Sequence, residues 1–346
     1  MRYIARTRRC ALVCALIAAM LVVAAGCGSN DNDKKAGTTS AAAAPAKKAK
    51  IMTFVFAPRG FNDVTRAWFN GFDAAAGQLG SSVDLQQKAT SKLEVDAAPY
   101  LTFIKSALVQ KPDGIVVVPN NAAAMTAGLQ QIAAQGTKVL IMDQDVPKMD
   151  DKVAFVGTDN KAAGKVAADW MLEQSKARKM PSNEVAILRS PPGISSIDDR
   201  TAGFKEALAG SELKVVTELA PACNDSADAR SAMADALTAH PKLGGVFSAC
   251  DVIATGAART LMAKGKGNVA HVSVDASKQG VDLIIKHKGI DAEVAQHLLK
   301  VGQSSVVTLA QALQGKTVPA NVDTGTDLIT EENAASYLEK AAAESK

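Results

Sequence analysis

The run "VAFVGTDNKAAGKVAADWMLEQ", Val153 to Gln174, passes from a short apolar, β-branched segment through the polar turn Thr158-Asp159-Asn160 into a helical pattern. A strand that turns directly into a helix is the first half of a parallel crossover unit. Upstream the same step has already recurred. "IMTFVF" (51–56), "SVDLQQ" (82–87), "GIVVVP" (114–119) and "KVLIMD" (138–143) read as strands, separated by the helical patterns at 63–80, 94–111 and 122–136. The quoted run therefore opens a second round rather than ending the first.

Downstream, "EVAILRS" (184–190), "LKVVTEL" (213–219), "GVFSAC" (245–250) and "VAHVSVD" (269–275) are the strands of that round, alternating with helical patterns at 197–210, 226–240, 252–265 and 278–289. Helices between every pair of strands argue α/β architecture, with two similar doubly wound parallel-sheet lobes in series. "DAEVAQ" (291–296) adds a strand and "LLKVGQSSVVTLAQALQG" (298–315) a helix. "TEENAASYLEKAAA" (330–343) reads as a closing helix, with Thr330 as its N-cap and Glu331 and Glu332 in a first turn where the helix dipole favours acids.

The first 27 residues are of another kind. Arg2, Arg6, Arg8 and Arg9 precede an uncharged run from Ala11 to Gly26, too short for a membrane-spanning helix and laid out as a secretory signal. Ala24, Ala25 and Gly26 before Cys27 resemble a bacterial lipobox, although Ala24 stands where leucine is usual. The expectation is a signal over 1–27 with Cys27 lipidated, followed by a tether over 28–50 whose Ala, Ser, Thr, Asn, Asp and Lys cannot bury enough surface to order themselves. Of the five cysteines, Cys10 and Cys14 leave with the signal, so Cys223 and Cys250 remain, and an extracytoplasmic compartment permits one disulfide. A formal net charge of +4, partly carried by the signal and tether, gives no argument for nucleic acid.

Catalytic constellations are missing from the sequence. There is no G-x-S-x-G elbow, phosphate loop or H-E-x-x-H motif, His240, His271, His287 and His297 are scattered, and no histidine is placed to activate Ser195 or Ser196. Polar residues instead collect just after the strands: Asn62 and Asp63, Asn120 and Asn121, Asp143 to Asp145, Asp198 to Arg200, Asn224 and Asp225, Asp251, and Asp275. Any one of these is ordinary turn or cap chemistry. Together they mark the carboxyl ends of two parallel sheets, where open α/β proteins bind ligands.

Six stretches, in this order, carry a resemblance: "VLIMD" ending at Asp143, "VGTDN", "DDRTAGF", "LTAHP" followed by "GVFSACD", "VSVD" ending at Asp275, and "AEVAQ" ending at Gln296. From about residue 51 to 340 the chain resembles a type I periplasmic binding protein of the ribose-binding group, the substrate-capturing part of sugar ABC transporters. The resemblance implies a hinge of three crossings near Thr158, Gln296 and Asp323, hence an N-terminal lobe of 51–157 plus 297–323 and a C-terminal lobe of 158–296 plus 324–346. It implies ligand contacts at Asn62, Asp143, Gln144, Arg200, Asn224, Cys250, Asp275 and Gln296, with no catalytic residue, cofactor or metal. The implied partners are a small sugar or polyol, a membrane ABC permease, and the membrane itself through the lipid anchor of a monomer in the cell envelope. A ligand-sensing role at a chemoreceptor or sensor kinase, and a non-sugar metabolite, stay open.

Alternatives and departures accompany the match. Arg200 has Asp198 and Asp199 as rival partners, Asp159 fits a helix cap, and Asp275 fits a turn. Val64, Thr65 and Val274 stand where sugar-binding members stack aromatic rings, leaving Phe61 as a substitute, while Trp68 at helical spacing from Phe72 reads as core. Gln144 replaces an arginine, and Asp145, Asp198 and Asp199 tilt the cleft acidic. Cys250 occupies a position where relatives often offer asparagine. Because another strand separates those of Cys223 and Cys250 in the usual order, a free, partly buried thiol is expected, with a bridge as the alternative.

Overall fold

The computed structural model describes residues 48–55, 63–90, 96–177 and 179–344. The expected signal, Cys27, Phe61 and Asn62 lie outside them, as does the expected tether up to residue 47. Strands β1 (Ala49–Val55), β2 (Val83–Ala89), β3 (Gly114–Val117), β4 (Lys138–Met142) and β5 (Phe155–Gly157) alternate with helices α1 (Asp63–Leu79), α2 (Ala97–Ala107) and α3 (Ala122–Ala134). The second round comprises β6 (Glu184–Leu188), β7 (Lys214–Leu219), β8 (Gly245–Ser248), β9 (Ala270–Asp275) and β10 (Ala292–Gln296), with α4 (Asn160–Lys176), α5 (Ser195–Leu208), α6 (Ser226–Ala239), α7 (Asp251–Ala263) and α8 (Lys278–Ile285). The chain ends with α9 (Leu298–Leu313), β11 (Asn321–Asp323), β12 (Thr326–Thr330) and α10 (Ala334–Glu344).

The two rounds wind identically. One sheet runs β2-β1-β3-β4-β5-β11 and the other β7-β6-β8-β9-β10-β12. Every pairing in the first is parallel, and in the second only β12 runs against its neighbour β10. The chain passes from one sheet to the other after Gly157, after Gln296 and after Asp323, so α4 follows β5 yet packs in the second lobe, and α9 follows β10 yet packs in the first. The strands read as continuous apolar runs because both faces are covered. Along β4, Val139 and Ile141 face a core with Ile104 and Leu129, while Leu140 and Met142 face another with Phe72 and Val306. Trp68 packs with Phe72 in that second core.

Each lobe is closed by a pair of helices in backbone contact. A Cβ on Gly164 of α4 would collide with the carbonyl of Arg200, and one on Gly203 of α5 with the carbonyl of Lys161; Gly71 of α1 and Gly302 of α9 meet Leu299 and Trp68 in the same reciprocal way. This approach holds Arg200 of α5 against the N-terminus of α4, which positions the site.

Three boundaries differ from the sequence reading. Ala49 and Lys50, expected in the tether, already pair with Val83 and Asp84 in β1 and β2. The short edge strands β11 and β12 go beyond the sequence reading, β11 because Val322 is its one apolar residue. Thr330 does not cap the last helix. It ends β12, opposite Ala292, since the β-branched pair Ile329-Thr330 is taken up by antiparallel pairing with β10. Asn333 precedes α10 instead, accepting from the Tyr337 N–H through its carbonyl (2.9 Å) and from the Thr330 N–H through Oδ1 (2.8 Å). Among the described residues no helix is long and apolar enough to cross a membrane.

The helix contacts give paired expectations. Gly164→Ala forces α4 and α5 apart and lowers the thermal midpoint. Gly77→Ala, on an exposed turn of α1 with open space around its Cα, raises stability by about 0.5–1 kcal/mol through helix propensity. Thermal unfolding of the two variants beside the parent checks both signs.

Candidate ligand-binding site

The seam between the lobes is lined by residues at the carboxyl ends of the strands. Asp143 follows β4 with φ 68°, and Asp275 ends β9 with φ 117°, followed by Ala276 at φ 55°. Non-glycine residues in this region are strained, and strain of this kind persists only where surrounding bonds over-determine it. At Asp275 those bonds are present. Oδ1 accepts from Arg200 Nη1 (2.9 Å) and Gln296 Nε2 (2.7 Å), and Oδ2 accepts from the Asp251 N–H (3.3 Å).

Arg200 is 4% exposed, so its charge needs compensation. Besides Asp275, Nη1 donates to the Ala249 carbonyl (3.0 Å) and Nε to Asn160 Oδ1 (2.9 Å). Asn160 is oriented in turn by donating from Nδ2 to the Thr158 carbonyl (3.1 Å). The sequence left Asp198 and Asp199 as rival partners for Arg200; neither takes it. Asp198 is held by Arg189 and by the Gly193 N–H (3.0 Å), and Asp199 is exposed, close enough to Asp159 and Asp145 to feel their charges.

Gln296 links this cluster to the hinge. Its Oε1 accepts from Thr158 Oγ1 (2.9 Å), joining the ends of the first two crossings, and the Asp159 N–H donates to Asp323 Oδ1 (3.1 Å) at the third. Asp159 caps α4, accepting from the Ala162 N–H (2.9 Å), as its alternative reading had it. The lobes also meet across the cleft, where Ser195 Oγ donates to the Asp145 carbonyl (3.2 Å). Asp143 lies close enough to the opposite lobe to feel it. Its carboxyl is pushed up to about 6, first by burial, with the Arg200 cation opposing and the Asp275 charge adding to the rise.

In the cleft Asp145 pairs with Lys152 (3.2 Å) and Asp198 with Arg189, while burial and the charges of Asp198, Asp159 and Asp145 push the Asp199 carboxyl up. Gln144 is half-buried beside Asp143, and Asn224 is exposed in the turn before α6. Sequence reasoning missed Asn160, the Ala249 carbonyl, Ser277 and Glu293. Glu293 had a visible signal, an acid inside the apolar run "AEVAQ" of a fully buried strand. Two histidines are engaged structurally: His271 bridges Ser248 Oγ (2.8 Å) and the Gly289 carbonyl (2.6 Å), with burial lowering its pKa to about 4, and His297 bridges the Thr324 carbonyl (2.8 Å) and Asp327 (2.9 Å).

The free-thiol expectation for Cys250 is corrected: Cys223 and Cys250 form a disulfide with their Cα atoms 6.5 Å apart. As expected, β6 lies between β7 and β8. Strands two places apart are about 10 Å from each other. Cys223, however, sits four residues beyond the end of β7, and that loop returns across the end of β6 far enough to bring the separation into bridging range. The bridge ties the loop carrying Asn224 to the N-terminus of α7.

Two like-wound lobes, a three-crossing hinge and a polar cluster at their seam define a type I solute-binding protein. The chain belongs to the periplasmic binding protein domain family, whose model matches residues 52–317. It is 27% identical over 252 residues to the ribose import binding protein of Salmonella typhimurium, covering 64% of this chain and 83% of that one. The D-ribose/D-allose-binding protein of Pseudomonas aeruginosa is 25% identical over 250 residues, covering 69% and 76%. The sugar-binding protein of a Bacillus halodurans sugar ABC transporter superimposes with a TM-score of 0.74 at 24% identity, covering 83% of this chain and 99% of that one.

Thiol labelling of the unreduced domain, unfolded in denaturant, is expected to find Cys223 and Cys250 unreactive. Replacing both by serine opens a loop of sequence separation 27, which lowers stability by about 3 kcal/mol in chain-entropy terms. Mass measurement and denaturant titration read the two outcomes.

Proposed function

We propose that this chain is the extracytoplasmic binding component of an ABC importer, capturing a small sugar or polyol between its lobes and delivering it to a membrane permease. The observation that carries the reading is the cluster at the seam: one carboxylate of each lobe, Asp143 and Asp275, with the Arg200 guanidinium at Asp275 and the Gln296 amide joined to the hinge. Carboxylates accept from neighbouring hydroxyls, the amide donates and accepts, and a guanidinium donates in a fixed fork, which is the mixture a neutral polyhydroxylated ligand requires. The names of the relatives point the same way, being ribose-binding and ribose/allose-binding proteins. Gln144 beside Asp143, Asn224 on its disulfide-tied loop and Asn62 complete the proposed contacts. Cys250 contributes there as half of a bridge, offering polarisable surface in place of an amide.

Closure about the hinge follows from the same groups. A ligand seated on the Asp275 side recruits Asp143 from the other lobe, and contacts made only when the lobes meet favour the closed state. A lipidated Cys27 would keep the domain close to its permease and raise its effective concentration there. No reaction is assigned to the site, since Ser195 donates to the Asp145 carbonyl and has no described histidine on it.

Calorimetry against pentoses, hexoses, amino sugars, polyols and nucleosides tests the ligand class, and silence across the sugars and polyols overturns it. Asp275→Ala and Asp143→Ala are each expected to weaken the bound sugar at least tenfold, about 1.4 kcal/mol. Asp143 also sets an acid limb. Ligand hydroxyls favour its ionised form, so affinity falls as pH drops through about 6, and Asp143→Asn removes that dependence.

A further inference from the structure

Behind Asp275 lies a second pair of acids. Glu293, in the middle of β10, is fully buried, and Asp251, the first residue of α7, is nearly so. Asp251 Oδ1 and Glu293 Oε2 are buried with no hydrogen-bond donor on them among the described residues. Both press on one point, since a Cβ on Gly280 of α8 would collide with Asp251 Oδ1 and with both Glu293 oxygens. Two carboxylate oxygens are acceptors only, so acids converging in this way without a cation are relieved by a proton on one of them.

Each acid receives one serine hydroxyl on its other oxygen. Ser273 Oγ donates to Glu293 Oε1 (2.6 Å), and Ser277 Oγ donates to Asp251 Oδ2 (2.7 Å). No cation among the described residues pairs with either acid. The charged groups facing them are each other, from α7 and β10, and Asp275 from β9, with Arg200 reached only through Asp275; α8 presents Gly280 and β12 sets Ile329 opposite Glu293. Burial pushes both carboxyls up, and the neighbouring Asp251 charge adds to the rise at Glu293.

The pair is joined to the ligand side by two bonds. The Asp251 N–H donates to Asp275 Oδ2 (3.3 Å), and Ser277, which anchors the strained Asp275-Ala276 turn, donates to the Asp251 carboxylate. We propose that Asp251 and Glu293 share one proton, and that this neutralised pair fixes the Asp275 turn in its ligand-receiving orientation, making Glu293 a positioning residue. The inference rests on the reading of Asp275 as a ligand contact. With the proton removed, two buried carboxylates repel at Gly280, Asp251 moves, and the Asp275 turn loses both supports.

The test is the pH dependence of sugar affinity in the purified full-length chain and in Glu293→Gln. Glutamine keeps the geometry, its carbonyl accepting from Ser273 and its amide donating to Asp251, but has no proton to lose. The parent is expected to lose affinity about fivefold or more as pH rises and the pair gives up its proton, while Glu293→Gln stays level and matches the parent within about twofold near neutrality. Equal alkaline losses in both proteins overturn the inference. A separate readout needs no ligand. A raised carboxyl pKa contributes stability that is present at low pH and lost as pH rises through the folded value, so the parent's thermal midpoint falls on that limb more steeply than the variant's. Equal slopes overturn the shared proton even when sugar binds. Unequal slopes in a chain that binds no sugar support the pair and sink the sugar reading alone.

Discussion

The Asp275 carboxylate is the node on which the site is built. It accepts a charge-assisted bond from a buried arginine, an amide bond from the hinge glutamine and a backbone N–H from the start of α7, and it does so with φ at 117°. A buried guanidinium without such a partner would be costly, and a β-carbon residue without these bonds would relax out of that conformation. Each feature therefore explains the persistence of the other. Through Gln296 and Thr158 the same carboxylate is two hydrogen bonds from the hinge, so the proposed ligand contact is also coupled to the crossing segments.

Topology places this node at the seam. Repeating one winding order in both lobes aims the carboxyl ends of both sheets at each other, and exchanging α4 and α9 between lobes makes the hinge part of each core. The glycine pairs are the local means to that end. They let α4 and α5 approach to backbone contact, which sets Arg200 beside Asn160 at the start of α4. Packing in the second lobe and the placement of Arg200 at its edge are thus set by the same helix crossing.

The strand and helix alternation was legible because periodicity is local, and the polar strand ends were legible because doubly covered strands stop abruptly at turn residues. Asp143, Arg200, Asp275 and Gln296 were placed at the seam on that basis together with the resemblance. The misses have a common origin. Thr330 looked like a cap until β10 was there to pair with it, and Glu293 looked like one polar residue in a strand until Asp251 and Gly280 were packed against it. Asp145 and Asp198 had no visible partners along the chain, and Lys152 and Arg189 pair with them in the fold.

Hydrophobic period, turn chemistry and the order of segments are properties of neighbours along the chain, and they were enough for two doubly wound lobes and for which residues stand at the strand ends. Which of those residues bond to one another was decided in three dimensions. Arg200 reaches Asp275 across 75 positions, Thr158 reaches Gln296 across 138, and Cys223 meets Cys250 over an intervening strand. A side chain's partner depends on loop paths and helix crossings that fold distant segments together, and nothing in the spacing of residues along the chain encodes a distance of that kind.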